Sequence, residues 1–158
     1  MKTDQNLRSA FSMLTSLVII VLMASVAIFV MNLSGKVVKS TTTQYQHEQA
    51  ELYAKSYTEY AILAITGNNR SNDCLENIDG NIGDPSNGNG YRIRVRLAYI
   101  TSNSVDVSQC SSTRVLNSTV TTSKTPLSVI IDAYVDYKDP EHTDGPWMTV
   151  HRRTIQKI

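Results

Sequence analysis

Histidine, carboxylate and cysteine side chains are the natural starting point for chemistry, and this chain holds few of them in any concentrated pattern. Its three histidines are His47, His142 and His151. His47 sits among Gln and Glu and His151 next to Arg152, so both read as surface residues, and none stands at the spacing of a zinc site or beside a nucleophile elbow or Walker loop. Gly88-Asn89-Gly90 has the composition of a turn rather than of a phosphate cradle. Asp136, Asp139, Glu141 and Asp144 cluster near Gly145, and oxygen ligands of this kind suit calcium. Their spacing matches no defined calcium loop, so Asp139, Glu141 and Asp144 stand as candidate ligands against the plainer reading of a solvated acidic turn. No acids, bases and nucleophiles converge along the sequence. The expectation is a non-enzyme that needs no cofactor.

Two further groups could meet a partner. Arg92, Arg94 and Arg96 share one face of a strand-like stretch, where Asp132 and Asp136 from a neighbouring strand would partly answer them. Trp147, the only tryptophan, opens the last strand-like stretch and reads as core or sheet-edge packing, with an adhesive contact as the sharper alternative. Lys and Arg number 15 against 14 acids, and no basic stripe marks a nucleic-acid surface. Cys74 and Cys110 are the only cysteines and are not in a CxxC motif. Outside the cytosol such a pair favours a disulfide, closing a loop of about 37 residues and worth roughly 3–4 kcal/mol in the loop-entropy picture. The alternative is two unpaired thiols.

The elements that position these groups follow from periodicity. From Leu17 to Met31 the run is apolar except for Ser25. Residues 11–33 form a helix of roughly 34 Å, enough to cross a ~30 Å hydrocarbon layer. A buried soluble helix is the bland alternative. A removable secretory signal cut after Ala27 is the stronger rival, although it would leave Ile28-Phe29-Val30-Met31 exposed at the new terminus.

No proline precedes Pro85, so the helix is expected to continue from 11 to 66, about 84 Å, with Gly35 as a possible bend and Gly67-Asn68-Asn69 as its stop. In its second half Tyr45, Leu52, Tyr53, Tyr57, Tyr60, Ala61 and Ala64 recur at helical spacing as one apolar stripe, opposite Gln46, Glu48, Glu51, Lys55 and Thr58.

Residues 68–90, rich in Asn, Gly, Asp and Ser, read as a long loop that either has a role or hides short elements. Period-two alternation then predicts strands at 91–99 and 127–137, and after a turn at Pro140, Gly145 and Pro146 a final strand is read at 147–158, with weaker Ser/Thr-rich strands at 104–110 and 114–122. The fold class is α+β, a long N-terminal helix packed on a small antiparallel sheet.

The segment Arg8-Ser9-Ala10-Phe11-Ser12-Met13-Leu14, followed at once by the apolar run, resembles the N-terminus of the type IV pilin superfamily, which includes the pseudopilins of type II secretion. The likeness covers Arg8 to about Leu33, and the helix-then-sheet plan extends it loosely. It implies a leader at 1–10, an assembly helix at 11–33, its amphipathic continuation at 34–67 and a periplasmic domain at 68–158. It further implies cutting by a prepilin peptidase between Ala10 and Phe11, N-methylation of Phe11, insertion in the inner membrane as a single-pass bacterial protein, and export into a filament on assembly. Partners would be other pilin or pseudopilin subunits, with no nucleic acid expected. Most family members carry Glu where this chain has Thr15. A carboxylate in an apolar bundle must be paired, and its loss points to a minor or tip-type subunit. The hydroxyls of Ser12, Thr15 and Ser16 can return to helix carbonyls, so anchoring loses nothing. The alternative is an unprocessed single-pass, membrane-anchored periplasmic binding module.

Overall fold

A computed structural model describes residues 4–70, 72–120 and 127–158, with side chains described from Met13 onward. Helix α1 spans Asp4–Gly67, so it starts earlier than the expected 11 and includes most of the leader. The side chains of Ala10, Phe11 and Ser12 lie outside the described residues.

The chain divides into two compact units, Met1–Gln44 and Tyr45–Ile158. In the first, every described side chain is exposed, including Leu17, Ile20, Phe29 and Met31. The helix is long and apolar enough to cross a membrane, and none of its most apolar stretch is buried within the chain. That exposure removes the buried soluble helix from consideration. Its hydroxyls turn back on the helix: Ser16 Oγ donates to Met13 O at 2.9 Å, Ser25 Oγ to Leu22 O at 2.8 Å, and Thr41 Oγ1 to Val37 O at 2.9 Å. Such bonds satisfy these hydroxyl protons in an apolar medium.

In the second unit the rest of α1 packs on a sheet of β1 (Asn77–Asp84), β2 (Asn89–Thr101), β3 (Val115–Asn117), β4 (Leu127–Tyr137) and β5 (Met148–Lys157). The main order is β1-β2-β4-β5, all antiparallel, with short β3 added parallel to β2. Inward residues Ile93, Val95, Leu97 and Tyr99 of β2 stand opposite Val135, Ala133, Ile131 and Val129 of β4, all at 0% exposure. This is the alternation expected for a sheet with one covered face.

The helix meets that face through small residues. Ala50, Ala54, Thr58, Ala61 and Ile65 recur every three or four positions and are all buried. Thr58 belongs to this inward row rather than to the solvent side, and its Oγ1 is satisfied by Ala54 O at 2.7 Å. Tyr45, Leu52 and Tyr60, expected in the apolar stripe, are instead 62%, 54% and 54% exposed. Short side chains let the helix backbone approach the sheet, and the large rings fall to its flanks: Tyr53 packs on Tyr91 at 5.0 Å between ring centroids.

Two other expectations change. The predicted loop at 68–90 holds β1, joined to β2 by a single helical turn at Pro85–Asn87. Its inward residues are Ile78, Gly80 and Ile82, and a Cβ at Gly80 would sit 3.1 Å from Tyr57 Oη. Glycine here makes room for a tyrosine. The predicted strand at 104–110 is absent: Asp106 caps Ser108 N in a turn, and the segment lacks a continuous apolar alternation. The one at 114–122 shrinks to β3, and Thr121 and Thr122 lie outside the described residues.

Candidate functional site

The polar groups singled out from the sequence come together mainly on the uncovered face of the sheet. The register places Arg92 beside Asp136, Arg96 beside Asp132 and Tyr134 beside His151. Asp136 is the centre of this face. Its side chain is 1% exposed and accepts from Arg92 Nε at 3.0 Å, Arg94 Nε at 2.9 Å, Arg94 Nη2 at 3.1 Å and Thr149 Oγ1 at 2.7 Å. Burial pushes its carboxyl up, but the hydrogen bonds from Arg94, Thr149 and Arg92 outweigh that and hold it below the usual range.

The basic edge read from the sequence is therefore an ion-paired face, with one correction to the pairing. Asp136 answers Arg92 and Arg94, whereas Arg96 is met by Asp79 of β1 at 2.5 Å. Asp132 turns to β5, taking Arg153 in a two-pronged contact at 2.7 and 2.9 Å and His151 Nε2 at 2.8 Å. The Arg153 bond is the main reason its carboxyl is held low. Asp79 carries no signal of this role in the sequence, because the Asn, Asp and Gly of its strand have the composition of a loop.

Aromatic rings cover the cations. Trp147 lies 4.4 Å from the Arg92 guanidinium and 5.0 Å from Lys138 Nζ, and Tyr134 lies 5.5 Å from the Arg94 guanidinium while its ring stacks on that of His151 at 4.4 Å. The tryptophan is thus held at the sheet edge by cations. His47, on the helix, is half exposed, with Nδ1 3.3 Å from Tyr137 Oη and Nε2 3.5 Å from Glu51.

Asp139, Glu141 and Asp144 lie in the turn between β4 and β5, where Asp139 Oδ1 accepts from Glu141 N at 3.0 Å. Among the described residues no group of three or more His, Cys, Asp and Glu side chains is arranged to hold a metal ion. Asp136, near that cluster in sequence, is committed to Arg92 and Arg94.

Cys74 and Cys110 form a disulfide with Cα atoms 5.0 Å apart. It ties the segment leaving α1 to the segment after β2. Close by, Tyr99 Oη donates to Leu75 O, and burial pushes this phenol up to about 12, with Arg70 opposing and Glu76 adding to the effect.

These features describe a domain braced on its open face by ion pairs and at one end by a disulfide. No known protein family, curated protein or solved structure matches the chain.

Proposed function

We propose that this chain is a pilin-like structural subunit of a type IV pilus or type II secretion pseudopilus, of the minor or tip type because Thr15 replaces the usual Glu. The observation that carries this reading is α1 itself. One unbroken helix holds an apolar half with every described side chain exposed and a half whose alanine-lined face builds the core of an antiparallel domain. An apolar helix of this kind serves as an anchor in acyl chains and as a packing surface for sister helices. Moving between these two apolar surroundings costs little hydrophobic free energy. The leader-Ala10-Phe11 order supports cleavage by a prepilin peptidase and methylation of Phe11, and the disulfide supports a domain held outside the cytosol.

N-terminal sequencing of membrane-extracted protein tests the reading. The expected start is N-methylated Phe11, and Ala10→Trp should accumulate uncut. A wild-type start at Met1 or at Ile28 ends it, the first in favour of an unprocessed anchored binding module and the second in favour of a cleaved secretory signal.

A further inference from the structure

The two outer edges of the sheet carry opposite charge. β5 and the residue after it, 148–158, hold Arg152, Arg153 and Lys157 and no acid. The β1 edge and its flanks, 72–90, hold Asp73, Glu76, Asp79 and Asp84 and no base. Among the described residues, β1 pairs only with β2 and β5 only with β4, so both strands present one unpaired backbone edge.

We propose that a second copy of this chain docks its β1 along β5 of the first, continuing the sheet from copy to copy. Because β1 and β5 run in opposite directions within one sheet, two copies in the same orientation pair these edges antiparallel and keep both helices on one side. The spacing of charges selects a register. Arg152 and Lys157, which have no acidic partner among the described residues, are five residues apart, as are Asp84 and Asp79, the latter also paired with Arg96 of its own chain. Setting Asp84 opposite Arg152 sets Asp79 opposite Lys157.

The faces agree as well. Asp79 lies across from Arg94 and Lys157 from Ser128, both on the open side; Arg152 lies across from Ala133, and Asp84 across from Asn89, its carboxylate also accepting from Ser86 N at 3.2 Å. The same register brings half-buried Ile78 against half-buried Ile158. Pairing β5 with β5 instead would bring its bases together, which like-charge repulsion opposes. The contact is head-to-tail and does not close on itself at two copies, so it builds rows. It does not depend on leader cleavage and stands or falls separately from the reading above.

Cysteine cross-linking in native membranes tests it on the full chain. Opposed residues of an antiparallel pair bring Cα atoms within disulfide reach. Two differently tagged copies, one Asp84→Cys and one Arg152→Cys, are expected to give a mixed dimer on mild oxidation, at least tenfold above either variant expressed alone. Absence of the mixed dimer overturns the proposal, as does self-linking of Arg152→Cys or a cross-link only to a protein of different mass. Should a cysteine variant fail to accumulate, charge reversal asks the same question with amine-to-carboxylate cross-linking of whole cells. Arg152→Glu with Lys157→Glu should abolish the dimer, and Asp79→Lys with Asp84→Lys in the same chain should restore it. Failure to restore also overturns the proposal.

Discussion

Replacing Asp136 by alanine removes the acceptor at the centre of the open face. Breaking a wholly buried ion pair from one side costs about 3–5 kcal/mol, because a charge is left stranded. Here only the carboxylate is buried. The Arg92 and Arg94 side chains are 41% and 39% exposed and regain water once released. Thr149 loses one partner but can also reach solvent. The expected cost is therefore lower, about 2 kcal/mol, or roughly 5–10 °C in melting temperature for a domain of this size. Trp147, stacked near Arg92, reports on the unfolding by its fluorescence, measured on the full chain in detergent. The effect should depend on pH with a defined sign. The native carboxyl is held below its ordinary value of 3.8, so its stabilisation is complete above that value and fades as the pH falls beneath it. Wild type and Asp136→Ala should converge in acid and separate fully by neutral pH. A difference under 1 °C at pH 7, or one that grows in acid, refutes the account of this face as braced by Asp136.

Two other substitutions probe different parts of the same domain. Ala54→Leu forces a large side chain where the helix lies close against the sheet, at a site 1% exposed, and should cost about 1–3 kcal/mol in urea unfolding, while Leu52→Ala on the exposed side should cost under 0.5 kcal/mol. Cys74→Ser combined with Cys110→Ser removes the restraint on the unfolded chain and should lower stability by about 4 kcal/mol, with the wild type showing the same loss when reduced.

Much of this architecture is written in the alternation of the chain. Residues 127–137 keep an apolar residue at every second position, and β4 occupies that range with Val129, Ile131, Ala133 and Val135 inward. The helix stop at Gly67 was legible because Asn68 and Asn69 follow it and nothing earlier interrupts it. What escaped did so for identifiable reasons. β1 is built of Asn, Asp and Gly, whose usual preference is for turns, and only Ile78 and Ile82 betray its period. Tertiary packing overrides that preference because Gly80 must yield space to Tyr57. Of the helix's inward row, periodicity marks Ala61 but not Ala50, Ala54, Thr58 or Ile65, because the larger tyrosines and leucines dominate the apolar pattern whereas close approach selects alanine. The ion pairing is half legible: opposite signs on adjacent strands can be read, but the partner of Arg96 sits on β1, whose composition is that of a loop.

The order in which strands leave the chain bears on how the domain folds. β1 and β2 are neighbours in sequence joined by one short turn, and so are β4 and β5 across a slightly longer one. Each hairpin can zip locally, whereas the β2–β4 seam must bridge the long connection containing β3. A chain threaded N-terminus first would complete its leading hairpin while the trailing one was still emerging. The seam between them is then the slow step, and until it shuts, the inner faces of both hairpins remain open to aggregation.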